Sequence, residues 1–136
     1  DEFFVANALV GGKADISFHY GKASDEVFVG NFDGEDGDTI ALRRGTIFYV
    51  KNTLVGGVAD TTISYGRVDD RAYVGDFDGD GSDTIALRRG HTFYINNALA
   101  GGDIEEILNY GRDSDRAIVG DWDGDGIDTP GVNRAN

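Results

Sequence analysis

The chain has no cysteine, so no disulfide holds it together and no thiol chemistry is open to it. It has no methionine either, and it opens on Asp1-Glu2. A mature or excised piece of a longer, secreted precursor is therefore the expectation. Basic residues are scarce: 12 Lys and Arg stand against 25 Asp and Glu, a net charge of −13. That balance makes nucleic acid and anionic membrane surfaces poor partners. No apolar run is long enough to span a bilayer and no stretch reads as a signal peptide, so membrane insertion is not expected. What remains is 136 residues with 40% apolar content, enough for one domain with a modest core.

What the chain does have is repetition. Gly30-Asn31-Phe32-Asp33-Gly34 returns as Gly75-Asp76-Phe77-Asp78-Gly79 and as Gly120-Asp121-Trp122-Asp123-Gly124, each 45 positions on. Residues 38–45 recur letter for letter at 83–90, and Leu9, Leu54 and Leu99 keep the same step. The units run over about 1–45, 46–90 and 91–135, within a single repeat domain covering 1–136. Each unit is expected to make one structure and to bury itself against its copies.

In the middle copy, 84–88 and 91–96 read as strands joined by a tight hairpin at Arg89-Gly90. Residues 61–65 and 71–75 read as two more. No window holds a helical period; 104–108 comes nearest, without support from the other copies. The class is all-β, with four short antiparallel strands per unit, the size of a propeller blade. The chain starts inside a unit, at 3–5, and ends on the strand 129–133 that the first unit lacks. Pairing those two would close the three repeats in a ring without an open edge. Pro130 and Gly131 suit an edge strand. A homodimer making one six-bladed ring and a β-trefoil-like barrel are the alternatives. Phe3, Phe48 and Phe93, with Val29, Val74 and Val119, are assigned to the core.

Asp76, Asp78, Asp80 and Asp83 occupy loop positions 1, 3, 5 and 8, and Asp121, Asp123, Asp125 and Asp128 repeat the pattern. Alternate residues of a turning loop point inward, so the first three carboxylates converge, and glycine permits the sharp turn. Hard oxygen ligands in a chain without cysteine suit Ca²⁺ rather than zinc. The bland reading is a set of solvated Asx-turns. The first copy, with Asn31, Asp33, Glu35, Asp36 and Asp38, lacks the turn glycine and is expected to bind calcium weakly or not at all.

The loop and its following strand resemble the Asp-rich FG-GAP and VCBS repeats of secreted bacterial proteins and integrin-like propellers. The segment 120–131, Gly-Asp-Trp-Asp-Gly-Asp-Gly-Ile-Asp-Thr-Pro-Gly, is similar to repeats appended to bacterial cell-wall hydrolases. The resemblance implies a propeller-like fold, calcium in the loops and an extracellular binding role at the cell surface. Asp83 and Asp128 stand at loop position 8, where the family usually has its last aspartate at 9, so they ligate by another geometry or cap the next strand.

For a ligand, Tyr20, Tyr65 and Tyr110 offer rings for sugar stacking, or core packing. Arg44, Arg89 and Arg134 offer recognition of a polar glycan, or salt bridges to acidic loops. Asn7, Asn52 and Asn97 offer hydroxyl contacts, or fix a bulge. His19 and His91 are not reproduced by the repeat, and no nucleophile or phosphate-loop motif occurs. The expectation is a non-catalytic calcium-binding module for polysaccharide, cell-wall glycan foremost, ancillary to a secreted hydrolase. A structural or adhesive module with a protein partner is the rival reading, and a glycan-cleaving enzyme the third.

Overall fold

The structure, a computed structural model, describes residues 1–35, 37–99 and 104–135. These form twelve short strands and, among the described residues, no helix: β1 (Glu2–Val5), β2 (Ile16–His19), β3 (Glu26–Gly30), β4 (Thr39–Arg44), β5 (Ile47–Val50), β6 (Thr61–Ser64), β7 (Arg71–Gly75), β8 (Thr84–Arg89), β9 (Thr92–Asn96), β10 (Glu106–Asn109), β11 (Arg116–Gly120) and β12 (Thr129–Asn133). The stretch nearest to a helical period is thus strand β10. All pairing is antiparallel, in four separate sheets: β1-β2, β3-β4-β5-β6, β7-β8-β9-β10 and β11-β12. No sheet is closed. The two full sheets span 26–64 and 71–109, so the structural unit is offset from a division at 45 and 90.

The hairpins explain themselves locally. Gly45-Thr46 and Gly90-His91 link β4 to β5 and β8 to β9, one residue beyond the expected Arg89-Gly90 turn. Only the glycine of each pair has a positive φ, 62° and 60°, the pattern of a two-residue turn with glycine first, whose twist matches the strands.

The core lies between sheets rather than inside one. Ile63 and Tyr65, on and just after β6, pack against Ile85 and Leu87 of β8. One repeat earlier, Phe18 and Tyr20 pack against Ile40 and Leu42. Phe48 and Phe93 are fully buried, as the periodicity predicts. Val29 is exposed instead, because no inner strand equivalent to β3 comes before it in the chain, whereas its copy Val74 packs against the core clusters.

Candidate metal centre

The acidic loops join β7 to β8 and β11 to β12, and a hydrogen-bond network sets their shape. Asp76 Oδ1 accepts from the amides of Gly79 and Asp80 at 2.9 and 3.1 Å, and Oδ2 from Gly81 at 2.9 Å. Asp78 Oδ1 accepts from Asp80, and Asp80 Oδ1 from Ser82. Asp121, Asp123 and Asp125 make the same bonds one repeat later. Gly79 (φ 75°) and Gly81 (φ 90°) take left-handed conformations that a side chain resists. The result is two triads, Asp76/Asp78/Asp80 and Asp121/Asp123/Asp125, each with carboxylate oxygens within 4.8 Å of one another. Either triad can hold a metal ion.

The donor set fits a hard cation. A carboxylate has about four lone-pair sites; Asp76 gives three to amides, which orient it and leave one for a ligand. Asp78 and Asp80 each commit only Oδ1. Desolvation first, then the Asp80 charge, raises the Asp78 carboxyl above its ordinary range despite the Asp80 amide bond. Such a group gains from a nearby positive charge. In the other loop the Gly126, Gly124 and Asp125 amides hold Asp121 below its ordinary range.

Asp83 and Asp128 stand outside both triads. Asp83 Oδ2 accepts the Asn31 amide at 2.7 Å while its own amide donates to Asn31 O at 2.7 Å. Asp128 makes the same pair of bonds with Asp76, at 2.8 Å each. The last aspartate of each loop therefore pins the first residue of the loop before it, 52 residues upstream. In the first copy Asn31 Nδ2 donates to Glu35 O and the Glu35 amide to Asp33 Oδ1. Asp33, Glu35 and Asp38 form no third acidic cluster among the described residues; Asp36 lies outside them.

Tyr20 and Tyr65 are only 6% and 5% exposed, so neither presents a ring face to a sugar. Burial, then nearby carboxylates, pushes both phenols up to about 12. Tyr110 is 47% exposed. Arg44, Arg89 and Arg134 each make a two-point pair with Asp25, Asp70 and Asp115, at 2.6–2.8 Å, with the carboxylates fully buried. Those three aspartates also accept the amides of Lys22, Arg67 and Arg112. Sequence reading passed over them, although they keep the 45-residue step as strictly as the loop acids. For Asn7, Asn52 and Asn97 the backbone amide is engaged, by Asp15, Asp60 and Glu105, which fixes the loop.

Small polar clefts also recur. One of about 210 Å³ is lined by Ser24, Glu26, Arg43 and Arg44; its copy, about 190 Å³, by Asp69, Arg71, Arg88 and Arg89. Arg43 and Arg88 are nevertheless buried, donating to the carbonyls of Asp70 and Arg67, and of Asp115 and Arg112. No protein-family description, curated protein or solved structure matches this chain.

Proposed function

We propose that this chain is a non-catalytic, extracellular repeat module of the FG-GAP/VCBS type, holding Ca²⁺ in its second and third acidic loops and binding carbohydrate, cell-wall glycan foremost. In that role it would position an attached enzyme. The observation that carries the reading is recurrence: the same all-oxygen triad, with the same amide bonds, stands at Asp76/Asp78/Asp80 and at Asp121/Asp123/Asp125. Flexible hard-oxygen sites with carboxylate and carbonyl donors suit calcium. Bound there, the cation supplies charge neutralisation that lets three carboxylates share one turn.

The sheets are read as blades of one ring, closed by pairing of β12 with β1. The two Arg-lined clefts then offer a polymer a similar polar foothold at successive repeats, and weak contacts linked along one chain gain by avidity. Insoluble cell wall and a glycan array test the ligand: retention in calcium, reduced by chelator, is expected. Absence of retention on every polysaccharide contradicts the carbohydrate reading.

A further inference from the structure

Four features of this fold are each incomplete at one end of the chain and supplied at the other. We propose that a second copy of this chain completes the split sheet, β1-β2 of one copy joining β11-β12 of the other, with Leu9 seated in the cleft beside Tyr110. This rests on the reading of the sheets as blades of one ring, and adds where the closing strand comes from.

Strand pairing sets the register. β4 and β5 oppose Ala41 to Val50, Leu42 to Tyr49, Arg43 to Phe48 and Arg44 to Ile47; β8 and β9 repeat this one unit on. Carried one unit further, the rule opposes Gly131 to Val5, Val132 to Phe4, Asn133 to Phe3 and Arg134 to Glu2. Yet among the described residues β1 pairs only with β2, and β12 only with β11. The amide of Tyr20 donates to Asp1 O and that of Asp15 to Val5 O, so Asp1, Phe3 and Val5 face β2 while Glu2 and Phe4 face the free edge. Pro130 does not obstruct: its counterpart Ile40 is used there through its carbonyl, which accepts the Lys51 amide.

Side chains point the same way. Leu54 and Leu99 pack into successive junctions between sheets, Leu99 against the clusters of Phe48, Ile63, Tyr65 and Ile85 and of Phe32 and Val50. At the next junction the equivalent residues line an apolar cleft of about 630 Å³: Phe77, Ile95, Leu108, Tyr110 and Pro130. The residue that belongs in it by the repeat is Leu9, which is 107% exposed. Beside it, Phe32 and Phe77 are 4% and 8% exposed but their copy Trp122 is 58%.

The loop interlock is likewise open. Asp83 grips Asn31 and Asp128 grips Asp76, so Asp38 should grip Asp121, and both are exposed. Val74 lies over Gly30 and Val119 over Gly75, which leaves the exposed Val29 to cover Gly120. One placement of a neighbouring copy meets all four needs. Within the chain the inner strands touch in series, β3 to β7 and β7 to β11, and among the described residues the end pairs β1-β2 and β11-β12 stay separate sheets. A two-fold arrangement satisfies both ends at once, giving a ring of six sheets in which two are composite.

Sedimentation over a range of concentrations, with hydrogen exchange at the Val132 amide, tests this on the 136-residue chain. A reversible species of twice the 14.6 kDa chain mass, with Val132 protected, is expected. Leu9→Asp, at a side chain fully exposed in its own copy, should weaken the dimer at least about tenfold, since burying a leucine is worth more than the 1.4 kcal/mol of a tenfold step. Its monomer should keep the wild-type circular dichroism. Phe4→Pro, which removes an amide from the free edge alone, should act likewise. A monomer at every concentration with Val132 protected overturns the second copy and leaves the ring reading standing; a monomer with Val132 exchanging freely overturns both. A dimer unchanged by both substitutions overturns the proposed joint.

Discussion

At the scale of single residues, the Tyr-Gly turn and its buried aspartate hold the fold. Gly66 has a φ of 76°, and a methyl group there would fall 2.1 Å from Leu87 Cδ1. Gly66→Ala combines a left-handed backbone with overpacking and is expected to cost about 1–3 kcal/mol, read by urea denaturation; an unchanged midpoint contradicts the packing described. Asp25, Asp70 and Asp115 are held below the ordinary carboxylate range, chiefly by the hydrogen bonds from Arg44, Arg89 and Arg134, and Asp115 reaches about 2. A depressed folded value means stability that is present above the unfolded value of 3.8 and lost as pH falls towards about 2. Acid unfolding followed by circular dichroism should therefore begin below pH 3.8, and Arg89→Gln should move it to higher pH. The loop triads were legible in the sequence because alternate carboxylates announce a shared point. Asp25, Asp70 and Asp115 were not, since an aspartate in a turn looks like any turn residue until its arginine is placed beside it. Nor could the 45-residue step of Tyr20 and Tyr65 tell that a neighbouring sheet would cover both rings.

At the scale of elements, the repeat works through junctions. Asp83 and Asp128 each join two loops, so Asp128→Ala should cost about 1–2 kcal/mol through the lost bond to the Asp76 amide. It should also weaken metal binding at the second loop without removing any of that triad. Calcium titration of this variant checks the point: binding equal to wild type at both loops would make the interlock irrelevant to the site. Strand positions were legible within a residue or so, because β-branched and aromatic runs bounded by glycine leave little freedom. The phase of the four-stranded unit was less so. Sequence similarity fixes the step of a repeat and not where its sheet starts, and only the pairing of β3 with β4 sets that.

At the scale of the whole molecule, a charge of −13 gathers partly in loops that a cation can neutralise. Two sites that bind only the folded chain should stabilise it by mass action, by about 2.7 kcal/mol for each site at a concentration one hundred times its dissociation constant. The melting temperature should rise in calcium and fall in chelator, and Asp78→Ala should remove part of that response. The proposed ring closure was legible only as a pair of unmatched strands, since sequence cannot say which neighbour supplies the match. Isothermal titration of the chain with Ca²⁺ tests the two acidic loops as metal sites. Binding of two equivalents, falling to one in Asp78→Ala, is the predicted result; no heat of binding, with the same melting point in calcium and in chelator, would contradict it.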